Sequence, residues 1–222
     1  MIRPLIWKIK CMKLQGAMHK KSVIETINDG NTSLTFFLDE RFSCELYKIK
    51  AGRLKSCTFG TKAGCLHHFD EAVNITLTQD FYIGVTPVKI YQYNSIINNN
   101  YCDNNFKEDY TGISWFGAKA YCDILNVVFE NQKPSGFKFD LPSEAQLEMC
   151  YYLNGIRSQY NIWQWVRDEY TVYEEKNIID PFKTFSGGDC VSKNSRSMMR
   201  MDWSPFYARD DMTFRLALVP VK

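Results

Sequence analysis

Eight cysteines, three histidines and a short acidic pair are the residues of this 222-residue chain with the reactivity to support catalysis or hold a metal. The cysteines stand at 11, 44, 57, 65, 102, 122, 150 and 190, with no CxxC pair and no zinc-binding spacing of Cys and His. His67 and His68 are adjacent, so their side chains diverge in a strand and do not face each other in a helix. With His19 the only other histidine, a three-histidine iron centre is not expected. Asp210 and Asp211 are neighbours in sequence, whereas carboxylate-pair hydrolysis needs opposed carboxylates; a solvated loop is expected there. Gly187 and Gly188 permit a tight backbone, but no lysine or helix start follows at phosphate-loop spacing. No GxSxG, HExxH or Walker sequence occurs.

The elements that must position these residues are legible in part. Residues 1–31 have no clear period and end in the turn-rich NDGNTS, so they are expected to be a leader or an extra element beside a domain at 32–222. SLTFFL and CELYKI flank DERFS and predict a hairpin. ITLTQDFYIG places Ile75, Leu77, Phe81 and Ile83 at buried positions. Thr86-Pro87 predicts a helix start that runs on through VKIYQYNSI, and the Asn-rich stretch after it predicts a loop. Ser114 is a candidate N-cap for WFGAKAYCDILN, with Trp115, Ala118, Cys122 and Leu125 on one face. Ser143 and Gln146 have the spacing of a capping box at the start of a second helix. IWQWV, KTFSGG and TFRLALVP predict short strands and loops, the last with Phe214, Leu216 and Leu218 alternating against Arg215 and Ala217. The fold class is α+β: two helices on a small twisted antiparallel sheet with long loops.

Composition excludes several roles. The net charge is +2 and no Lys/Arg run exceeds two residues, so a nucleic-acid partner is not expected. No apolar run has the length of a membrane span or a signal peptide, so a cytoplasmic protein with reduced thiols is expected. Aromatics make up 15% of the chain, enough to fill an irregular core.

Six blocks occur in one order. They are ELYKIKAGRLKSCTFG at 45–60, DFYIGVTPVKIYQY at 80–93 and GISWFGAKAYCDILN at 112–126. DLPSEAQLEMC at 140–150 and NIWQWVRDEY at 161–170 follow, and the last is SGGDC at 186–190 with Arg196, Arg200 and FRLAL at 214–218. Together they resemble the formylglycine-generating-enzyme (sulfatase-modifying-factor) family over residues 32–222, which implies a C-type-lectin-like fold. Trp115, Trp163 and Trp165 are then expected as scaffold anchors, and Glu144 is expected to pair with Arg215.

The family's chemistry is where the chain departs. The resemblance implies copper held by two cysteines, four residues past the second glycine of the G-G-S block and five further on. Those positions are Ser192 and Ser197, and a serine hydroxyl cannot replace a thiolate for copper(I). Cys190 falls where the family has an inward aromatic residue and is expected to be a small buried hydrophobe. The family's W-E-W glutamate, commonly a calcium ligand, is Gln164 here, and the segment GIRSQY is shorter than the family's insert with further calcium ligands. Thr213 replaces the glycine of G-F-R. Neither copper nor calcium is expected.

A binding surface is the expectation that remains. Residues 189–211, DCVSKNSRSMMRMDWSPFYARDD, combine aromatics with small polar residues, the composition of an adaptable contact surface. The segment also resembles the variable segment of diversity-generating-retroelement proteins, which implies a displayed ligand-binding face. Ser192, Asn194, Arg196, Ser197, Trp203, Phe206 and Tyr207 are the candidate contacts for a protein or small ligand. Interspersed Lys193, Arg196, Arg200 and Asp202 argue for solvent exposure, since a buried charge demands a partner. The expected function is a noncatalytic binding module; the alternative is an oxidative enzyme of the formylglycine-generating type acting on cysteine or other sulfur substrates.

Overall fold

The computed structural model describes residues 22–28, 31–39, 42–56, 58–59, 72–97, 108–154, 162–194 and 199–221. His19, His67, His68, GIRSQY, Arg196 and Ser197 lie outside the described residues.

The alternating SLTFFL and CELYKI runs pair as expected, as the antiparallel strands β2 (Asn31–Asp39) and β3 (Phe42–Ile49). Strand β1 (Ser22–Asn28) adds to the outer edge of β2. Strands β4 (Gly52–Ser56) and β5 (Val73–Leu77) form a second hairpin, and β6 (Phe81–Gly84) returns to pair with β3. Ile75, Leu77, Phe81 and Ile83 are all buried.

Among the described residues three helices follow: the two of the expected fold class and, before them, the one expected through VKIYQYNSI. Helix α1 (Ile90–Ile97) starts four residues after Thr86, so Thr86-Pro87 is not its N-terminus. The backbone before it is otherwise engaged: Gly84 N–H donates to Leu216 O and Val88 N–H to Phe214 O. The Gln92 side chain caps the start instead, its Oε1 accepting from Lys89 N–H at 2.8 Å. Helix α2 (Trp115–Val128) begins at the expected cap, with Ser114 Oγ accepting from Gly117 N–H at 3.1 Å. Helix α3 (Glu144–Asn154) opens on the reciprocal capping box, Gln146 N–H to Ser143 Oγ at 3.1 Å and Ser143 N–H to Gln146 Oε1 at 2.8 Å. Between α2 and α3 lies β7 (Phe137–Asp140), whose Phe139 backbone exchanges hydrogen bonds of 2.7 and 2.8 Å with the Asn126 amide.

The remaining strands are β8 (Trp163–Glu169), β9 (Asn177–Ile179), β10 (Cys190–Asn194), β11 (Arg200–Trp203), β12 (Met212–Phe214) and β13 (Ala217–Pro220). The run KTFSGG forms no strand. The closing run TFRLALVP is two strands: Phe214 pairs with Trp165, whereas Ala217 pairs with Ile83 and Asp140. Arg215 and Leu216 carry the chain from one sheet to the other. The Arg215 guanidinium fixes that crossing through the carbonyls of Gly84 and Val85 and through Gln164 Oε1.

Among the described residues three sheets form, ordered β1-β2-β3-β6-β13-β7, β11-β10-β8-β12 and β4-β5-β9. The final strand lies inside the first of these, between β6 and β7. Pairing is antiparallel except for β5 with β9 and β8 with β12. The core divides at β8. Trp165 belongs to the apolar cluster that includes Phe36, Tyr121, Leu125, Phe139 and Phe214, and its neighbour Val166 to the one that includes Ile75, Phe81, Ile83, Tyr151 and Val191. Opposite pointing of successive strand residues makes one strand serve both halves. Two tryptophans lock β8 to α2: Trp115 Nε1–H donates to Val166 O at 2.8 Å and Trp165 Nε1–H to Ile113 O at 2.9 Å.

Candidate ligand-binding face

Segment 189–211 does not behave as one surface loop. Its first part is the hairpin β10–β11, and β10 is hydrogen-bonded on both sides, to β11 and to β8. Every residue of β10 is buried. Ser192 and Asn194, expected as surface contacts, are therefore interior residues: an interior strand covered on both faces offers nothing to solvent.

Two of the charges expected to force exposure, Lys193 and Arg200, are buried as well, and Asp202 is half-buried. Lys193 is fully buried, and its Nζ donates to Glu148 Oε1 at 2.5 Å and Glu144 Oε1 at 3.1 Å. Arg200, 1% exposed, donates to Glu144 Oε2 at 2.9 Å and Thr171 O at 2.8 Å, with its guanidinium 4.7 Å from the Tyr170 ring. Lys193 and Arg200 are directly opposed in the β10–β11 ladder, so their side chains share the face that meets α3. Glu144 and Glu148, one helical turn apart, supply the counter-charges. Each buried charge has its partner, but from a helix about fifty residues upstream. Glu144 thus pairs with Lys193 and Arg200, not with Arg215. Arg215 instead holds Gln164, whose Nε2–H donates to Tyr151 Oη at 2.8 Å.

Two further acids have structural posts. Asp168 Oδ2 accepts from Glu144 N–H at 2.7 Å at the start of α3. Burial pushes its carboxyl up to about 7, Arg167 opposes the rise and the Glu144 charge adds to it. Glu169 accepts from the N–H groups of Ser186 at 2.6 Å and Gly188 at 3.1 Å, and the Ser186 and Gly188 N–H groups hold it below the usual glutamate range. This explains the glycine pair. Gly187 has φ +115°, and a Cβ on Gly188 would stand 3.1 Å from the Glu169 carboxyl carbon. Cys190 is a free buried thiol, pushed up to about 12 by burial and then by Glu169. Among the described residues no three His, Cys, Asp or Glu side chains group as metal ligands.

The second part of the segment is open. After β11 the chain turns at 204–207, closed by Tyr207 N–H to Ser204 O at 2.9 Å. Phe206 is 78% exposed, Tyr207 41% and Phe116 38%. Phe206 meets Phe116 at 4.9 Å between ring centres, and Phe116 meets Phe185 at 5.7 Å. Phe185 leans on Trp115 at 4.7 Å. Beside them Trp203, half-buried, stacks flat on Tyr207 at 4.7 Å, with the Arg209 guanidinium 5.6 Å from its ring. Two anchors fix the turn: Phe116 N–H points to Pro205 O at 3.5 Å, and Gly112 N–H reaches Arg209 O at 3.0 Å. Gly112 has φ +73°, which favours glycine there. The aromatic face is thus assembled from the start of α2, the loop at Phe185 and the turn after β11. Trp203, Phe206 and Tyr207 belong to it. Phe116 and Phe185 were missed by sequence reasoning; Phe116 sits inside a helix block whose other aromatics, Trp115 and Tyr121, are core.

Among solved structures the chain is similar to variable protein 1 of Treponema denticola, with a TM-score of 0.63 and 13% identity over 87% of this chain and 100% of that one. It is also similar to PvdO from Pseudomonas aeruginosa, with a TM-score of 0.62 and 13% identity over 90% of this chain and 99% of that one. Both have a C-type-lectin-like fold, and that is the fold of this chain. No family model and no curated protein matches the sequence. Among the described residues no helix is long and apolar enough to cross a membrane.

Proposed function

We propose that the chain is a noncatalytic binding module whose contact surface is the aromatic face of Phe116, Phe185, Trp203, Phe206 and Tyr207, and that its partner is a protein. One observation carries this reading: Phe206 stands 78% exposed on a turn tied to the start of α2 by backbone hydrogen bonds. Exposed rings on a fixed turn offer large contact area at little entropic cost on binding. Arg209 and Tyr207 add polar groups at the edge of the same face. The likeness of segment 189–211 to retroelement variable segments, on a fold shared with a protein named a variable protein, supports the same use.

The noncatalytic part of the reading rests on donor chemistry. Ser192 stands in one of the two positions that resemble the copper-binding cysteines, and its hydroxyl is buried in β10. Cys190 keeps its proton and, like Cys44, Cys122 and Cys150, is a free buried thiol. Gln164, at the position resembling the calcium-binding glutamate, is fully engaged by Tyr151 and Arg215.

The test uses proteins captured from the source cells by the wild-type chain and then purified one at a time. At least one should bind the wild type directly and lose about 2 kcal/mol or more with Phe206→Ala. Binding of every captured protein unchanged by Phe206→Ala and Tyr207→Ala would overturn the assignment of this face. Conversion of a cysteine peptide to formylglycine above a no-protein control, read by mass spectrometry, would overturn the noncatalytic reading.

A further inference from the structure

A cavity of about 260 Å³ opens where the start of α3, β8, the turn at 180–182 and the C-terminal residues meet. None of its lining residues belongs to the aromatic face. Its polar lining is rich in donors. Gln146 is only 6% exposed, and its Oε1 accepts from Ser143 N–H. Gln146 lines the cavity, and its amide NH2 has no hydrogen bond among the described residues. Ser143 Oγ accepts from Gln146 N–H, which leaves its hydroxyl hydrogen free to donate. Among the described residues no carboxylate lies within ion-pair distance of Arg167, and its buried Nε has no partner there. Lys138 adds a second cation, tied only at 3.3 Å to Asp140, a carboxylate that also serves Lys119. The carboxylate in the lining, Asp180, has both oxygens engaged by Thr78.

The Arg167 guanidinium is covered on one face by the Phe182 ring, 4.3 Å away. A ring on the face leaves the edge as the route for a hydrogen-bonding partner, and a planar oxyanion fits a guanidinium edge with two parallel bonds. Leu77, Pro181, Phe182 and Pro220 provide an apolar wall beside those donors. A half-buried guanidinium and a buried amide that lack acceptors are costly unless a ligand or water supplies them. Two cations facing one engaged carboxylate also leave the site with unbalanced positive charge.

We infer that this cavity is a binding site for a small carboxylate with a short apolar body, its carboxylate on Arg167, Lys138 and Gln146 and its body on Phe182 and Pro220.

The test is a titration of the full chain followed by NMR or calorimetry, with benzoate as the probe, benzamide as its neutral counterpart and inorganic phosphate as the alternative oxyanion. Benzoate should bind saturably, and benzamide should not. Arg167→Gln should weaken benzoate about tenfold or more, the loss expected for a charge-assisted pair. Lys138→Gln, at a side chain 46% exposed, should weaken it severalfold and decides the matter if Arg167→Gln does not fold. Absence of saturable benzoate binding at millimolar concentration would overturn the site. Benzoate binding untouched by Lys138→Gln and by a folded Arg167→Gln would do the same. Phosphate binding more tightly than benzoate would overturn the ligand class.

Discussion

The hairpin β10–β11 and the turn that follows it lie side by side in sequence, yet they end in opposite environments. The hairpin holds Lys193 and Arg200 in the interior, each on a glutamate of α3. The turn holds Phe206 and Tyr207 in solvent. Charge went in and aromatic surface stayed out, against the usual preference of both. The difference teaches that burial here is set by strand position. β10 is hydrogen-bonded on both sides, so whatever side chains it carries must be accommodated, and α3 carries the matching acids. The turn is held by backbone hydrogen bonds to the 112–116 segment and buries Pro205, while Phe206 and Tyr207 point out. A framework that does not depend on Phe206 and Tyr207 leaves those rings available for a partner.

The largest effect expected from breaking this contrast comes at Lys193. Lys193→Met leaves Glu148 and part of Glu144 as uncompensated buried charge, and should cost about 3–5 kcal/mol in urea unfolding. Restoring neutrality with Glu148→Gln in the same chain should recover part of that loss, because the penalty belongs to the stranded carboxylate.

Next in size is a pH effect at Asp168, in the same buried layer. Its folded pKa, near 7, lies above the ordinary value of 3.8, so the folded chain keeps this proton over a range where the unfolded chain has lost it. Its contribution to stability is complete below about 4 and is lost as pH rises towards 7, by about 1.4 kcal/mol for each unit separating the two pKa values. Asp168→Asn should remove that loss, so the variant should gain on the wild type as pH rises from 4 to 7. Parallel stability curves for the two proteins would contradict the buried, protonated carboxyl.

A smaller loss is expected at the α3 cap, which aims Glu144 and Glu148 at the hairpin. Ser143→Ala should cost about 1 kcal/mol by thermal unfolding. The smallest effect belongs to the open region: Phe206→Ala should change stability by less than about 0.5 kcal/mol.

Much of the framework was legible in the sequence because local rules suffice for it. Ser114 and the Ser143–Gln146 box announce two helices, and the alternation of SLTFFL and CELYKI announces a hairpin. The misreadings have physical causes. Thr86-Pro87 has the signature of a helix start, but the hydrogen bonds of 84–88 go to 214–216, a pairing no local pattern reveals. TFRLALVP alternates like one strand, yet Arg215 turns it between two sheets. The candidate face was half legible: Trp203, Phe206 and Tyr207 stand out by type, whereas Ser192 and Asn194 were placed on the surface because their charged neighbours were assumed to need water. The acids that answer those charges lie on α3, and only the fold brings them together.

The most direct measurement is a side-by-side urea unfolding of Lys193→Met and of the double variant Phe116→Ala/Phe206→Ala at neutral pH. The double variant should remain within about 1 kcal/mol of the wild type while Lys193→Met loses several, as a buried charge framework beneath an independent aromatic face requires. A double variant that loses as much as Lys193→Met, or a Lys193→Met chain as stable as the wild type, would contradict the division of segment 189–211 into framework and face.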